Sequence, residues 1–522
     1  MKKKGFTLIE LLAVILILGI IALIAIPTVN NILTEARRGA FSSTLTNLEK
    51  AIEEKCTTEQ IKNIEITTGY TITNGEISPN VDIKGDLPDG TIEVNTNCEV
   101  SFTLSNNNFT GNKEFAGEIE ITDGSSDITT VYKESILNGA DPVLSDNLIP
   151  VTIANDGTVT KADLNTKWYS YAEKKWANAV ILTPNGKIED NGTILEDSIE
   201  SYFVWIPRYK YKLFDMGNYD SHIASDPTES KVQMIDIVFE NKNKTISTGT
   251  AVGEYHSHPA FQAFDTNGLW IGKFETSGAV NDLKIKPNMS SLLNLGVDEI
   301  FNASINYKND NISHMMKNTE WGAVSYLTLS KYGRCTDNIC EELNINNHMG
   351  FVTGYSHVAG TNQSSFTGES GSSPTITQPY NTETGYLAST TGNITGIYDM
   401  SGGACEYMAA FVNSTNASDF FQTIYQENYF DVYNVDDNIT TTNFYNRILG
   451  DATGELGPFY NNGNNRPINS WYNDYVIFPN NISYSIFRGG PHNSGSEAGL
   501  GYINTYYGYG RNFVGFRLVL SK

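Results

Sequence analysis

The N-terminal run of the chain is the feature that most limits how it can fold. Three lysines precede an almost wholly apolar stretch from Phe6 to Pro27, about the length that a helix needs to cross the hydrocarbon core of a bilayer. Glu10 interrupts this stretch, and a carboxylate in apolar surroundings is costly unless a partner neutralises it. The run therefore predicts a membrane-inserted helix with one charge that requires a partner.

The helical pattern continues beyond the apolar run. An amphipathic continuation with one apolar face is predicted by the roughly helical spacing of Ile32, Ala36, Leu45, Leu48 and Ile52. An ordinary signal peptide or a simple membrane anchor is the alternative interpretation of the first residues. It explains neither the buried charge nor the amphipathic continuation.

The opening residues "MKKKGFTLIELLAVILILGIIALIAIP" resemble the type IV prepilin signature. The resemblance implies that a prepilin peptidase cleaves after Gly5 and methylates the new N-terminus, Phe6. It also implies that Glu10 interacts with the N-terminus of a neighbouring subunit, and that the helix bends or loosens at Pro27. A buried carboxylate that needs a positive partner can fix the register between subunits. The implied partners are other pilin subunits, the peptidase and, before assembly, the cytoplasmic membrane.

Short alternating segments follow the helix and are separated by the turn signals NG, PDG and GN, a pattern that predicts antiparallel strands. A helix followed by such a sheet is the arrangement of a pilin head, so the resemblance extends to about residue 135. The predicted fold class is α+β. Its first parts are a leader (1–5), a long pilin helix (6–55, with 6–27 in the membrane or filament core) and a β head (56–135).

Length, charge and cysteine content limit the remaining possibilities. A chain of 522 residues exceeds what one core serves and predicts two or three domains. Lys and Arg total 35 against 59 Asp and Glu, for a net charge of −24; such a surface repels phosphate backbones, so no nucleic-acid partner is expected. If the chain is exported, Cys56 with Cys98 and Cys335 with Cys340 are candidate disulfides. Free, buried cysteines are the alternative.

From about Asp141 the sequence changes to aromatic strands and long loops rich in Gly, Asn, Ser and Thr. The segment "SYFVWIPRYKYKLF" predicts a buried pair of strands. A helical signal lies in "HMMKNTEWGAVSYLTLSKYG", with Met315, Trp321 and Leu327 on one face.

Four motifs in this region, "EWGAVSYL", "GIYDMSGGACEY", "FRGG" and the terminal "GFR", resemble in their order the formylglycine-generating (sulfatase-modifying) enzymes, a branch of the C-type lectin-like fold. The resemblance implies a large lectin-like α+β domain with extensive loops at 200–522. Residues 136–199 are then a linker and the N-terminal part of that region.

The activity of that family is not expected to carry over. Its catalysis uses two cysteines between the "RGG" and "GFR" motifs, where a thiolate pair binds copper and activates oxygen. No cysteine lies between Arg488 and Gly515. We therefore expect a protein that is not an enzyme and that keeps the fold for binding.

The same resemblance implies a structural calcium site, the one cofactor expected here. The family's calcium-binding segment corresponds to "YDMSGGACEY", and its ligand positions fall on Asp399, Gly402, Ala404 and Glu406. Two carboxylates and two carbonyls suit a hard cation. The alternative is a tight glycine turn with surface acids. Cys405 stands where the family usually has tryptophan.

For two other sets of residues we favour an ordinary structural role over a ligand-binding one. His256 and His258 have the i, i+2 spacing of a zinc-binding pair on a strand, but no third ligand is evident nearby, which favours ordinary loop packing. Arg488 and Arg517 are expected to be hydrogen-bonded structural arginines rather than anion binders.

The stretch from Pro491 to Phe513 has no evident helical or strand period. Gly, Tyr, Asn and Ser make up 14 of its 23 residues. Tyrosine gives a large amphipathic contact area at small entropic cost, and the other three give adaptable hydrogen bonding, as in antibody paratopes. A glycine-rich loop with a few packing tyrosines is the alternative.

In place and composition this stretch resembles the variable segment of lectin-like proteins diversified by retroelements, which lies just before the terminal "GFR" strand. The resemblance implies a variable region at 488–517 that displays its side chains to a ligand. The positions expected to be variable and exposed are His492, Asn493, Ser494, Ser496, Tyr502, Asn504, Tyr506, Tyr507, Tyr509 and Asn512.

These inferences predict a type IV pilus subunit, minor or at the tip, that displays a non-enzymatic adhesin domain at the cell surface. Its expected ligand is a protein or glycan on another cell, a phage or a host. A minor pseudopilin of a type II secretion or DNA-uptake system is the alternative. A membrane-tethered sulfatase-modifying enzyme is disfavoured by the missing cysteines.

Overall fold

A computed structural model of the chain describes residues 37–521 with internal gaps. The gaps are 63, 74, 82, 84–86, 107–108, 124–127, 130–131, 146, 213–222, 225–233, 244–254, 309–311, 338, 358–376, 414–423, 435–449, 453–458, 462–466, 470–473 and 478–483. The chain forms two compact units, Met1–Ile128 and Thr129–Lys522. Gly5, Phe6, Glu10 and Pro27 lie outside the described residues.

The first unit consists of a helix and an antiparallel sheet. Helix α1 covers residues 37–61. The strands are β1 (Gly69–Thr73), β2 (Glu76–Ser78), β3 (Asp89–Val94), β4 (Val100–Ser105), β5 (Phe109–Lys113) and β6 (Glu120–Asp123), and the sheet order is β2-β1-β3-β4-β5-β6. The predicted helix followed by an antiparallel sheet is confirmed, and the helix extends six residues past its expected end.

One face of α1 forms the core of the first unit together with the sheet. At most 4% of the surface is exposed in Phe41, Leu45, Leu48, Ile52 and Cys56. These positions recur every three or four residues and so share one side of the helix. The predicted apolar face is confirmed over this stretch, whereas Ile32 and Ala36 lie outside the described residues.

The contact between helix and sheet depends on a small residue and a covalent bond. A Cβ on Gly111 of β5 would overlap the side chain of Leu45, so glycine lets the helix lie close to the strand. A disulfide joins Cys56, near the end of α1, to Cys98 in the turn before β4. It closes a loop that contains the last turn of α1 and strands β1, β2 and β3.

The second unit is larger and mostly antiparallel. Among its described residues, the α-helices are α2 (Val297–Ile305) and α3 (Asn318–Thr328). The strands, of which the first straddles the boundary between the units, are β7 (Ile128–Thr129), β8 (Val143–Leu144), β9 (Ile149–Ile153), β10 (Val159–Lys161), β11 (Asn178–Leu182), β12 (Thr193–Ile194), β13 (Ile199–Pro207), β14 (Tyr209–Lys212), β15 (Ile223–Ala224), β16 (Asp236–Phe239), β17 (Tyr255–Ser257), β18 (Gly268–Gly272), β19 (Ser277–Ala279), β20 (Asp282–Lys284), β21 (Ile312–Met315), β22 (Cys335–Thr336), β23 (Ile339–Cys340), β24 (Tyr355–His357), β25 (Thr377–Pro379), β26 (Cys405–Asn413), β27 (Asp431–Asn434), β28 (Phe459–Asn461), β29 (Pro467–Asn469), β30 (Ser485–Gly489), β31 (Gly499–Tyr506), β32 (Val514–Gly515) and β33 (Leu518–Ser521).

Two sheets organise this unit. The larger has eight strands in the order β12-β10-β9-β11-β13-β18-β33-β21, so the last strand of the chain lies inside it. The smaller has the order β27-β26-β30-β31, with β32 also paired to β26. All nine residues of β13 are buried, as expected for an interior strand covered on both faces. The predicted strands at "SYFVWIPRYKYKLF" are confirmed as β13 and β14.

Helix α3 is buried on every side, and its N-terminus is closed by Glu320, whose carboxylate accepts the backbone N–H of Lys317 at 2.8 Å. The expectation that Met315 shares this helix is wrong, because Met315 ends strand β21 and pairs with Leu518. The predicted linker 136–199 supplies β9 to β12 of the larger sheet. A second disulfide joins Cys335 in β22 to Cys340 in β23.

Candidate functional site

Residues 488–517 lie mainly in the smaller sheet of the second unit. Strand β31 pairs antiparallel with β30, with Arg488 opposite Ile503 and Ser485 opposite Tyr506. The stretch that has no evident period in the sequence therefore contains an eight-residue strand, which corrects the expectation from the sequence.

The reason is burial on both sides. The first five residues of β31 are all buried, and the alternation that signals a strand appears only where one face meets water. The far edge of β31 is covered by residues 474–477, since Val476 forms a parallel bridge with Ile503. Within β31, only the residues at its end reach solvent.

The ten expected binding positions differ in exposure. Exposed residues are Asn493, Tyr507, Tyr509 and Asn512, and partly buried ones are His492, Ser494, Ser496, Asn504 and Tyr506. The expected exposure of Tyr502 is wrong, because only 5% of its surface is accessible. Its ring centroid lies 5.8 Å from that of Tyr475 and 6.5 Å from that of Phe487, so it packs inside the sheet.

A cluster of four tyrosine rings and one arginine, which we call the tyrosine surface, forms where β31 ends. It consists of Tyr484, Tyr506, Tyr507, Tyr509 and Arg511. The ring centroids of Tyr506 and Tyr507 are 5.0 Å apart, and Tyr484 lies 6.2 Å from Tyr507. The Arg511 guanidinium lies 3.8 Å from the centroid of Tyr506, within cation–π range.

The tyrosine surface contains both buried and solvent-exposed rings. Tyr484 is 6% exposed, whereas Tyr507 is 38% and Tyr509 61% exposed. The Tyr407 hydroxyl donates to the carbonyl of Tyr509 at 2.8 Å, which fixes the turn that carries the most exposed ring. Rings held in this way offer apolar faces and phenolic hydrogen bonds with little entropy to lose on binding.

His492 contacts a different part of the second unit. Its backbone N–H donates to the carbonyl of Gly403 at 2.8 Å, and its ring lies 4.4 Å from the ring of Phe351. Burial, and secondarily the neighbouring His348, lower the pKa of His492. The structure thus brings the tyrosines together and places His492 against Phe351.

Beneath this segment lies a fully buried ion pair. Arg517 donates from Nε to Oε2 of Glu406 at 2.9 Å, and its Nη2 donates to Oε1 of the same carboxylate. Arg517 also donates to the carbonyls of Gly272 at 2.7 Å and Tyr398 at 3.0 Å. The expectation of a structural arginine agrees with these contacts, because each of the three guanidinium nitrogens donates to protein.

The other carboxylate expected to bind calcium is also saturated with donors. Oδ1 of Asp399 accepts from the Asn346 amide at 2.8 Å, and the backbone N–H of Gly354 lies 3.0 Å from both carboxylate oxygens. Ala404 donates its N–H to Oε1 of Glu275 at 2.9 Å. Burial raises the pKa of Asp399 despite the opposing charge of Arg517.

A calcium ion would compete with these contacts, because it takes about six to eight oxygen ligands, mostly from carboxylates, carbonyls and waters. Both oxygens of Glu406 face the Arg517 guanidinium, and both oxygens of Asp399 face N–H donors. Within the described part of the chain, no group of three or more His, Cys, Asp or Glu has the arrangement of a metal site. The geometry favours an internal ion-pair cluster at Asp399, Gly402, Ala404 and Glu406; calcium there stays a prediction.

The remaining candidates are buried inside the second unit. His258 is fully buried, its Nδ1 accepts the N–H of Ala260 at 3.3 Å, and burial lowers its pKa to about 3, so it is neutral at pH 7. Arg488 donates to the carbonyls of Ala452 and Leu500 at 2.8 and 3.0 Å. Cys405 is reduced and buried, and burial raises the pKa of its thiol well above the usual range, which makes it a poor nucleophile.

Sequence reasoning missed several residues that the fold brings to this region. Tyr484 and Arg511 belong to the tyrosine surface, and Glu275 joins the ion-pair cluster from 129 residues away in the sequence. Arg511 lies within residues 488–517 and follows three tyrosines closely in the sequence, so its contact with a tyrosine ring could have been predicted. Glu275 carries no such signal, because only the tertiary fold brings it to Ala404.

Comparison with known families bears on the N-terminus. Residues 1–26 match the model of the prokaryotic N-terminal methylation motif. The chain has a type IV pilin-like prepilin N-terminus. A prepilin terminus implies processing by prepilin peptidase, a membrane-inserted precursor and assembly with other pilins, in a pilus or pseudopilus. No curated protein matches the chain.

The prepilin match lies outside the described residues. None of the helices that the structure describes is long and apolar enough to cross a membrane. The predicted span 6–27 falls entirely within the undescribed first 36 residues.

Proposed function

We propose that the protein is a type IV pilus subunit, minor or at the tip, whose second unit is a non-enzymatic, C-type lectin-like adhesin. The observation that carries the adhesin proposal is the tyrosine surface at the end of β31. Four tyrosines and an arginine lie together there, with Tyr507 and Tyr509 exposed to solvent. This composition suits a protein or glycan ligand, because aromatic rings stack on apolar or sugar faces while hydroxyls donate and accept hydrogen bonds.

The absence of an enzymatic function is part of this proposal and has its own support. No cysteine lies between Arg488 and Gly515, and the thiol of Cys405 is buried with a raised pKa. A reactive thiolate needs exposure and a lowered pKa. Conversion of a sulfatase peptide to formylglycine by the purified chain would contradict this part of the proposal.

Binding by the tyrosine surface is tested with the full chain in detergent on a glycan array and on bacterial and host cells. Tyr507→Ala with Tyr509→Ala should weaken binding at least tenfold, since each exposed tyrosine contributes contact area. Tyr425→Ala is the matched control, because Tyr425 is 43% exposed but lies outside the segment. Equal binding by the double variant and the control would remove the proposed site.

A diversified binding segment is a further part of the proposal. Retroelement diversification predicts a near-copy of the 488–517 coding sequence beside a reverse-transcriptase gene, with substitutions concentrated at the exposed positions Asn493, Tyr507, Tyr509 and Asn512. Invariant sequence in sibling strains would contradict diversification and leave the adhesin proposal standing.

The alternative, a minor pseudopilin, follows from the same N-terminal motif. It predicts genes of a secretion or DNA-uptake system nearby and no binding to foreign cells. Subunit stoichiometry in sheared filaments, measured by mass spectrometry, separates a tip or minor subunit from a major one. A stoichiometry close to that of the major pilin would exclude a tip position.

A further inference from the structure

A surface cavity of the second unit is lined by helix α2, by the β19–β20 hairpin and by the residues that follow α2. Its volume is about 660 Å³, within the range of sites that hold a small organic ligand. The tyrosine surface contributes no side chain to the lining that the structure describes. The cavity is therefore a candidate site separate from the tyrosine surface.

Helix α2 forms one wall of the cavity with its polar face. The lining residues in and just after the helix are Glu299, Asn302, Ala303 and Asn306. Spacings of three and four residues place these side chains on one side of the helix. Ala303 is buried, whereas the other three are exposed. This wall thus presents a carboxylate and two amides around a small apolar residue.

The turn of the β19–β20 hairpin forms another wall. Ala279 pairs with Asp282 across the hairpin, so Val280 and Asn281 are the two residues of the turn. Val280 is 44% exposed and offers apolar surface next to the exposed amide of Asn281. This wall therefore combines an apolar contact with a group that both donates and accepts hydrogen bonds.

The third part of the lining is a group of side chains around Glu200. Oε1 of Glu200 accepts from Nζ of Lys308 at 2.7 Å and lies 3.2 Å from the hydroxyl of Tyr307. That hydroxyl also lies 2.6 Å from Oγ of Ser201, and Nζ of Lys308 is 5.0 Å from the centroid of the Tyr307 ring. These contacts hold the side chains in place before a ligand binds, which lowers the entropy cost of binding.

The charges of the lining disfavour two classes of ligand. Three carboxylates and one ammonium group contribute to it, so the local charge repels anions. Each carboxylate also has a partner within the protein. Lys284 pairs with Asp282 at 3.1 Å, the backbone N–H of Gly296 donates to Glu299 at 2.9 Å, and Glu200 has the ion pair already described. A cationic ligand would therefore have to compete with groups of the protein itself.

The groups that stay available to a ligand are neutral amides and the remaining lone pairs of the carboxylates. Asn281 and Asn302 are exposed, and each amide supplies donors and an acceptor. Nδ2 of Asn306 donates to the carbonyl of Asn302 at 2.7 Å, which leaves its Oδ1 as an acceptor. Adjacent hydroxyl groups on one small molecule, each of which donates and accepts, match this set of atoms.

We propose that this cavity binds a neutral saccharide of one or two rings. Its hydroxyl groups would bond to the amides and carboxylates, and the C–H face of a ring would pack on Val280. The volume of about 660 Å³ accommodates a ligand of this size. The inference does not rest on the adhesin proposal, because it uses no residue of the tyrosine surface.

The test uses the full chain in a detergent without a sugar headgroup. The neutral probes are glucose, galactose, mannose, N-acetylglucosamine, lactose and maltose. N-acetylneuraminic acid and spermidine serve as the anionic and cationic comparison probes. Saturation-transfer NMR with each probe, followed by titration, measures the Kd values. At least one neutral sugar should bind tenfold more tightly than either charged probe.

Matched variants assign the sugar to this cavity. Asn281→Ala with Asn302→Ala should weaken its binding at least tenfold, because two hydrogen-bonding amides are removed. Both side chains are exposed, so the unfolding midpoint should stay unchanged. Asn185→Ala is the control, because Asn185 is an exposed asparagine of the second unit outside the lining, and it should keep full binding.

The double variant Tyr507→Ala, Tyr509→Ala separates the two sites and should also bind the sugar as the unmodified protein does. Loss of sugar binding in this variant would place the sugar on the tyrosine surface and overturn the proposal. Sugar binding that survives the removal of both amides, tighter binding of spermidine than of every neutral probe, or no binding of any neutral probe would also overturn it.

Discussion

Loss of Arg517 should damage the second unit severely. Its guanidinium is fully buried and is the ion-pair partner of Glu406. We expect Arg517→Met to lower the free energy of unfolding by about 3–5 kcal/mol, because it leaves a buried carboxylate without its cation. Urea denaturation followed by tryptophan fluorescence measures the change. Arg511→Met is the control in the same segment, and its loss of a cation–π contact should cost about 0.5–1 kcal/mol.

The cost of Arg517→Met should depend on pH. Burial raises the pKa values of Glu406 and Asp399 even with Arg517 present, and removing the guanidinium raises them further. A carboxyl group whose folded pKa is raised destabilises the fold as the pH rises above its unfolded pKa, since the folded state must hold the proton. The difference from the unmodified protein should therefore be larger at pH 8 than at pH 5. An equal difference at both pH values would contradict this account.

Strand β31 shows, at the scale of one element, how far the sequence predicts the fold. The burial of Leu45, Leu48 and Ile52 could be predicted because one side of α1 is exposed to solvent, so the helical period of apolar residues remains visible in the sequence. In β31 the residues from Gly499 to Ile503 are buried on both faces of the strand. The sequence therefore lacks the alternation of apolar and polar residues on which strand prediction depends. The exposure of Tyr507 was predictable from turn composition, whereas the burial of Tyr502 depends on rings contributed by other segments.

The packing of β31 against residues 474–477 makes a sharp prediction for Gly499. A Cβ at this position would overlap the carboxylate of Asp474. Gly499→Ala should therefore lower the free energy of unfolding by about 1–3 kcal/mol. Gly350→Ala is the control, because a Cβ at Gly350 meets only ordinary contacts, the nearest at 3.4 Å. Equal urea midpoints for the two variants would show that the strand edge yields without cost.

At the scale of the whole molecule, the two units should unfold separately, because each buries its own core. The first unit is the smaller one, and its disulfide should contribute a large share of its stability. Cys56–Cys98 spans 42 residues, and a loop of that size corresponds to about 4 kcal/mol of stabilisation in the chain-entropy account. Cys335–Cys340 spans 5 residues and corresponds to about 2 kcal/mol.

Reduction should therefore lower the unfolding temperature of the first unit more than that of the second. Differential scanning calorimetry of the full chain, with and without reductant, should resolve two transitions and move the smaller one further. The double variant Cys335→Ser, Cys340→Ser leaves the first unit's bond in place, so its smaller transition should stay unchanged until reductant is added. A single transition that moves as a whole would mean that the two cores unfold together, and the disulfide of the first unit would then stabilise the entire chain.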